Sequence, residues 1–248
     1  MDLGLGGKSV LVTGGSKGIG LACALTFVQE GCRVHLASRD RERLEQARTQ
    51  LQGAAIIHPA DLRDAKALQA LAQACGDVDI LVNNAGDIPG GTLESLDDAK
   101  WRHAWELKVF GYINLTRALF GRMKARRSGV IVNVIGMAAE NPSPEYICGA
   151  TANAGLAAFT KALGKGSTEH GVRVVGLHPP STRTDRILQV MKAAAKAKLG
   201  DENRYPELVG AGGMFNQMIE PEQVGDTVAF LASPRAGQLS GVVLNLGT

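Results

Sequence analysis

Aromatic side chains are scarce in this chain. Phe, Trp and Tyr make up only 4% of its 248 residues, although apolar residues reach 45%. Large rings therefore cannot fill the interior, and a core has to be built mostly from Ala, Val, Leu and Ile. Such side chains suit helices that pack closely on a parallel sheet, whose strands are buried on both faces.

Cysteine is also sparse, and its spacing excludes the common redox and metal-binding motifs. The four cysteines, Cys23, Cys32, Cys75 and Cys148, form no CxxC pair, and no His/Cys spacing along the chain resembles a zinc site. We therefore expect no metal site, and we expect free thiols in a reducing compartment.

Neither charge nor hydropathy indicates a nucleic-acid or membrane partner. The net charge is only +3, and the basic residues of 39–43 are interleaved with acidic ones instead of forming a stripe. No apolar run is long enough to span a bilayer, and the first residues show no basic and apolar regions of a secretion signal. These features predict a cytoplasmic protein.

Short β-branched runs alternate with helical stretches along the whole chain, and two of the predicted helices are long, at Asp97–Lys124 and Tyr146–Gly166. Alternation of this kind implies right-handed crossovers and a parallel sheet. The sequence thus predicts an α/β Rossmann fold in a single domain, 1–248, with a doubly wound parallel sheet of about seven strands and helices on both faces. The predicted strands are Ser9–Thr13, Arg33–Ala37, Ala54–His58, Asp79–Asn83, Val130–Val134, Val172–Leu177 and Val242–Leu244.

Residues 185–220 interrupt this alternation. Long excursions from a compact domain are commonly functional, and this one carries adaptable methionines, Met191 and Met218. We interpret it as a substrate lid, with a plain surface insertion as the alternative.

The loop from Thr13 to Gly20 carries the strongest chemical signal. Gly14, Gly18 and Gly20 directly follow a predicted strand and open a predicted helix. Glycines allow the backbone to approach a pyrophosphate, and a helix N-terminus offers it free N–H groups and a positive dipole. The loop therefore predicts dinucleotide binding.

With this loop, Asp61-Leu62 after the third strand and Asn83-Asn84-Ala85-Gly86 after the fourth, the chain resembles the short-chain dehydrogenase/reductase family over nearly its whole length. The resemblance implies that Asp61 meets the adenine, that the Asn-Asn-Ala-Gly turn supports the sheet and flanks the adenine ribose, and that Thr182 and Thr184 meet the nicotinamide carboxamide. The cofactor-binding residues it implies are Gly14, Ser16, Lys17, Gly18, Ile19, Gly20, Ser38, Arg39, Asp61, Leu62, Asn83, Ala85, Gly86, Pro179, Thr182 and Thr184.

Charge at the end of the second strand favours NADP(H) over NAD. NAD-binding Rossmann proteins place an acidic side chain there for the ribose 2′-hydroxyl, whereas this chain has Ser38 followed by Arg39, with Lys17 in the glycine loop. A hydroxyl and two cations suit a 2′-phosphate. The alternative is that Arg39 and Lys17 are ordinary surface charges.

The four catalytic positions of the family differ in this chain. Local pattern places Gly136 at the usual Ser position, Gly149 at the Tyr position, Asn153 at the Lys position and Lys108 at the Asn position. The family's standard proton transfer therefore cannot be carried over.

The residues nearby suggest a rearranged site. Relative to the family pattern, Lys and Asn have exchanged places: Lys108 lies on the first long predicted helix and Asn153 on the second. Tyr146 lies one helical turn before Gly149. We hypothesise that Tyr146, Lys108 and Asn153 form the catalytic set, with the ammonium lowering the pKa of the phenol. The alternative is that Tyr146 is a helix-packing or rim aromatic and that Lys108 is a surface charge. His178 and Cys148 are weaker candidates.

Three functions remain open from the sequence. The first is an NADP(H)-dependent oxidoreductase that acts on a small carbonyl or alcohol. The second is a catalytically inactive NADP(H)-binding sensor or partner subunit, and the third is a nicotinamide-using epimerase or eliminase. The family resemblance also implies a homodimer or homotetramer formed through the two long helices.

Overall fold

The computed structural model describes residues 2–208 and 218–247. It contains a seven-stranded, all-parallel sheet in the order β3-β2-β1-β4-β5-β6-β7. The predicted doubly wound Rossmann fold is therefore confirmed. The strands are β1 Ser9–Thr13, β2 Arg33–Ser38, β3 Ala55–Pro59, β4 Ile80–Asn83, β5 Gly129–Val134, β6 Val172–His178 and β7 Val243–Asn245.

Helices cover both faces of this sheet. They are α1 Gly18–Gln29, α2 Arg41–Gln50, α3 Ala65–Ala74, α4 Asp98–Trp105, α5 Gly111–Ala125, α6 Ile147–Ser167, α7 Asp185–Leu199 and α8 Pro221–Ala232. The order in which successive strands are added reverses between β1 and β4, which is the topological switch point where ligands bind in sheets of this kind.

The two largest of four buried clusters, both mainly aliphatic, lie one on each face of the sheet. On one face Phe27 of α1 and Val228 of α8 pack with strand residues such as Val12. On the other face Leu71 of α3 and Leu115 of α5 pack with Leu11. Successive residues of a strand point to opposite faces, so Leu11 and Val12 feed different clusters.

The predicted long helix Asp97–Lys124 is helical from Asp98 onward, but its middle is not α-helical. The stretch Asp97–Lys124 consists of α4, a π-helical segment Glu106–Phe110 and α5. A π segment widens the helix by one residue per turn and occurs often at functional sites. Lys108 lies in this segment.

The predicted lid at 185–220 is only partly described. It begins with α7, which Thr184 caps by accepting a hydrogen bond from Ile187 N at 3.4 Å. A 3₁₀ segment, Glu202–Leu208, follows, and residues 209–217 of the predicted lid lie outside the described residues. Within the described part of the chain, every helix is too short or too polar to cross a lipid bilayer.

Candidate active site

A cavity of about 660 Å³ opens at the carboxyl ends of the strands, next to the switch point. Its volume is within the range of small-molecule and cofactor pockets. Twelve of the predicted cofactor residues line it: Gly14, Ser16, Lys17, Gly18, Ile19, Ser38, Arg39, Leu62, Ala85, Gly86, Pro179 and Thr184.

The glycine loop forms one wall, and its glycine positions could not carry side chains. Gly14 and Gly18 have φ values of +65° and +55°, a region that L side chains rarely adopt. A Cβ at Gly20 would lie 2.2 Å from Gly14 O. Gly20 itself is behind the wall, so its role is to let α1 start close to the loop.

The N-terminus of α1 faces this cavity without a side-chain cap. Its N-cap residue, Lys17, is extended and makes no capping hydrogen bond. The first N–H groups of a helix have no intrahelical acceptor, and they carry the positive end of the helix dipole. These donors, together with the loop glycines, fit the pyrophosphate of a dinucleotide.

Polar and basic groups gather where β2 ends. Ser16 Oγ lies 3.1 Å from Ser38 Oγ, and the half-exposed Arg39 is 3.8 Å from Asp87 in a weak ion pair. Arg43 also lines the cavity, a residue that the sequence analysis missed. Asp40 caps α2 and pairs with Arg43 at 3.2 Å, so its carboxylate is already engaged.

The two asparagines of the turn after β4 have different positions: one is buried within the fold and the other lines the cavity. Asn83 is buried and donates to Thr116 Oγ1 and Asn133 Oδ1 at 3.1 and 2.9 Å. Asn84 lines the cavity and donates to Thr13 O at 3.0 Å. The prediction that Asn83 reaches the cofactor is therefore not supported by its position; it joins neighbouring strands to α5, and Asn84 takes the place on the wall.

Asp61 and Thr182 also lie off the cavity wall. Burial raises the pKa of Asp61, but the hydrogen bonds and charge of Arg63, 2.6 Å away, outweigh this and lower the pKa overall. Thr182 is buried and donates its hydroxyl to Pro180 O at 2.9 Å. Both side chains are thus committed to neighbours within the fold.

Lys108 enters the cavity from the π segment. Its Nζ donates to Ile135 O at 2.8 Å, and its side chain lies against Gly86, where a Cβ would be 3.0 Å from Lys108 Cδ. Burial, with a smaller contribution from the charge of Arg186, lowers the pKa of Lys108 to about 7. The alternative of a surface lysine is wrong.

The ring of Tyr146 fills the space next to Gly149. A Cβ on Gly149 would lie 2.1 Å from Tyr146 Cε1, so the absence of a side chain at 149 is what admits the ring. Tyr146 lines the cavity, as predicted. Its pKa differs from the prediction, however, because burial raises it and the opposing cation is Arg186 instead of Lys108.

Asn153 and Gly136 lie together behind the wall. Asn153 is 3% exposed, and its Nδ2 lies 3.4 Å from Gly136 O. A Cβ at Gly136 would be 3.0 Å from that nitrogen. The Oδ1 atom of Asn153 has no hydrogen-bond partner among the described residues, so Asn153 retains an acceptor beside the site.

Arg186 is a further residue that the sequence analysis missed. It lies on the first turn of α7, donates to Gly86 O at 3.2 Å and to Ile88 O, and is 3.8 Å from Asp87. It thereby joins the start of α7 to the turn after β4. The arginine's position just after the predicted lid boundary was the signal available in the sequence.

The two weaker candidates, His178 and Cys148, are both buried. His178 is buried at the end of β6, 3.5 Å from Glu140, and burial is the main cause of its lowered pKa. Cys148 is buried in α6, and burial raises its pKa, so it is a poor nucleophile.

The comparisons with known proteins agree on one family. Residues 8–194 match the family described as short chain dehydrogenase. The 2,3-dihydro-2,3-dihydroxybenzoate dehydrogenase of Bacillus subtilis (strain 168) is 30% identical over 251 residues, an alignment that covers 96% of this chain and 93% of the relative.

Solved structures match along the whole fold. L-Sorbose reductase from Gluconobacter frateurii, in complex with NADPH and L-sorbose, has a TM-score of 0.93 and 29% identity, covering 99% of this chain and 97% of that one. A 7α-hydroxysteroid dehydrogenase in complex with NADH and 7-oxo glycochenodeoxycholic acid has a TM-score of 0.89 and 26% identity, covering 99% and 94%.

Proposed function

Because the chain belongs to the short-chain dehydrogenase family, we propose that it is an NADP(H)-dependent oxidoreductase that reduces a small carbonyl compound or oxidises the corresponding alcohol. The observation that carries this proposal is the cavity wall formed by the uncapped α1 N-terminus and the hydroxyl and basic groups at the end of β2. No acidic side chain occupies the Ser38 position, where a carboxylate would repel a 2′-phosphate.

We assign the parts of the cofactor to this wall as follows. The loop amides and the first turn of α1 hold the pyrophosphate, while Ser38 and Arg39 hold the 2′-phosphate. When bound, the nicotinamide supplies the hydride chemistry, and the protein supplies orientation and a proton route. The relatives that match in structure include both NADPH and NADH complexes, so the preference rests on the residues of this chain.

Tyr146 is the proposed proton donor to the substrate oxygen. Burial raises the pKa of this phenol, so it is protonated at neutral pH and has a proton to donate. It can donate that proton only to an oxygen that gains strong negative charge, as a carbonyl oxygen does during hydride transfer. Lys108, with its pKa of about 7, exchanges protons readily near neutral pH, and Asn153 lies behind the wall with a buried acceptor that has no partner among the described residues.

A catalytically inactive NADP(H)-binding protein is the second candidate. It is favoured by the glycines at 136 and 149 and the asparagine at 153, where the family resemblance implies Ser, Tyr and Lys. Both candidates require cofactor binding, so turnover distinguishes them.

Cofactor preference is tested by NADPH and NADH titration of purified variants. We expect Arg39→Ala to weaken NADPH binding by about tenfold or more, the range for loss of a hydrogen bond between charged groups, and to leave NADH binding nearly unchanged. Arg41→Ala, an exposed arginine of α2 outside the cavity wall, is the matched control. Equal losses for both cofactors in Arg39→Ala would contradict the assignment.

Turnover is tested by a screen of small ketones, aldehydes and alcohols that follows NADPH absorbance. For an active substrate, Tyr146→Phe should lower kcat by about 10²-fold or more, as expected for loss of a general acid, and should leave NADPH affinity unchanged. Tight NADPH binding with no turnover on any compound would support the inactive protein instead.

Two further features are proposals of the same kind. We assign α7 and the chain after it to a substrate lid, because Arg186 anchors its first turn at the cavity.

We also propose a homodimer or homotetramer through α5 and α6; Phe110, 44% exposed at the start of α5, is available for such a contact. Light scattering of a Phe110→Ser variant should then show smaller assemblies.

A further inference from the structure

A second group of chemically active side chains lies away from the cavity. His35 of β2, His58 of β3 and Cys75, which caps the C-terminus of α3, have donor atoms that all lie within 4.8 Å of one another. His35 Nδ1 is 2.9 Å from His58 Nε2, and Cys75 Sγ is 3.7 Å from that same nitrogen. None of the three lines the cavity described above.

Sheet register explains how the fold assembles this group. In the parallel pair β2–β3, His35 is opposite Ile56 and Ala37 is opposite His58. His35 and His58 are therefore diagonal neighbours on one face, with their rings stacked at 16°. Helix α3 covers that face, where Cys75 packs with Leu11 and Ala37.

The separations are close to those that a tetrahedral zinc ion requires. Zn–N bonds of about 2.0–2.1 Å and a Zn–S bond of about 2.3 Å place two ligating nitrogens about 3.3 Å apart, and a nitrogen and a sulfur about 3.6 Å apart. The distance of 3.7 Å between Cys75 Sγ and His58 Nε2 already fits, and the two imidazole nitrogens need to separate by a few tenths of an ångström. The third distance, from Cys75 Sγ to the ligating nitrogen of His35, is at most 4.8 Å.

The electrostatic state of the group is also compatible with a metal. Burial is the main cause of the lowered pKa of His35 and of His58, so both imidazoles are neutral at pH 7 and each has one ring nitrogen with a lone pair. In the contact between His35 Nδ1 and His58 Nε2 one nitrogen carries the hydrogen, so metal binding requires a change of tautomer at that ring. Burial raises the pKa of the Cys75 thiol to about 12, opposed by the charge of Arg122. Arg33 is the cation that acts on His35.

We propose that His35, His58 and Cys75 form a binding site for Zn²⁺, a thiophilic ion that takes nitrogen and sulfur ligands. On binding, the Cys75 S–H proton is released to solvent, a Zn–S bond replaces the S–H bond, and no electron is transferred. A water molecule completes the four ligands, because His58 is half-buried and leaves a path from solvent. The ion would join β2, β3 and α3, and the proposal does not depend on the reaction proposed above.

Cobalt(II) titration of the untagged protein tests this directly, because Co²⁺ replaces Zn²⁺ and reports its ligands by absorption. We expect a thiolate-to-Co²⁺ charge-transfer band that saturates at one equivalent and is displaced by Zn²⁺. Cys75→Ser should abolish the band, and His58→Gln should weaken Co²⁺ binding by about tenfold or more. The matched controls are Cys32→Ser, a buried thiol that donates to Leu5 O, and His103→Gln, an exposed imidazole; both should retain the band.

Thermal unfolding gives a readout that is independent of absorption. Zn²⁺ should raise the Tm of the wild-type protein and of both controls, and it should leave the Tm of Cys75→Ser unchanged. If Cys75→Ser does not fold by circular dichroism, His58→Gln decides the matter, since its side chain is half-buried and its loss leaves the core packed. The proposal is overturned if the wild-type protein shows no charge-transfer band, if the band survives in a folded Cys75→Ser variant, or if His58→Gln binds Co²⁺ as tightly as the wild-type protein does.

Discussion

At the level of single side chains, the pairing of Tyr146 with Gly149 has the sharpest consequence. Gly149→Ala keeps the phenol and favours the helix, but its Cβ would lie 2.1 Å from the ring. We therefore expect the ring to move and kcat to fall by about 10²-fold, with NADPH affinity preserved. Gly166→Ala is the control: it makes the same change in the same helix, with nothing within 4 Å of the new Cβ. Wild-type turnover in Gly149→Ala would show that Tyr146 is not the proton donor.

Side-chain positions show where prediction from the sequence ends. The glycine loop and Lys108 line the cavity, and both could be selected from the sequence by a strand-to-helix pattern and a family motif. Which of Asn83 and Asn84 faces the cavity could not be selected, since a shift of one residue along a strand reverses the face. The His35–His58–Cys75 group was missed for a related reason: its members are 23 and 17 residues apart, and only sheet register brings them together.

At the level of helices and strands, regular elements were predictable and their distortions were not. Strands β1 to β7 lie within a residue or two of their predicted positions, because hydrophobic periodicity marks buried strands strongly. The π segment Glu106–Phe110 has no comparable signature. It depends on how α4 and α5 pack around Lys108, which is a tertiary effect.

The attachment of α7 provides a prediction about one helix. Arg186 donates to two carbonyls of the turn after β4, so Arg186→Ala should loosen the first turn of α7. Hydrogen exchange in α7 should become faster, while exchange in the sheet stays slow. Arg183→Ala removes a neighbouring arginine whose exposed partner is Glu220 and should leave α7 exchange unchanged. Equal protection of α7 in both variants would argue against an anchoring role.

For the folded chain as a unit, Lys108 predicts a characteristic dependence of stability on pH. Burial lowers its pKa from 10.5 to about 7, so between those values the unfolded chain binds more protons at this amine than the folded chain does. The free energy of unfolding contributed by Lys108 therefore rises with pH across this range, by up to about 1.4 kcal/mol per pH unit.

The other groups with shifted pKa values change the free energy of unfolding mainly outside the lower part of this pH range. The lowered imidazole pKa values of His35, His58 and His178 affect stability only below about pH 6.5. Buried thiols such as Cys23, whose pKa is raised from 9.0 to about 12, lower stability as pH rises above 9, because the unfolded chain then loses the thiol proton first. All four thiols have raised pKa values, and their opposing contribution already grows as pH approaches 9, so the range from about pH 7 to 8 reports mainly on Lys108.

Urea unfolding at intervals from about pH 7 to 8 measures this contribution. The unfolding free energy of the wild-type protein should rise with pH, and that of Lys108→Met should stay nearly constant, because the methionine fills the same space without an ionisable group. Lys124→Met removes an exposed lysine from α5 and should retain the wild-type slope. A Lys108→Met protein with the wild-type slope would mean that the amine stays charged beside the Ile135 carbonyl, and proton exchange at Lys108 near neutral pH would then have no basis.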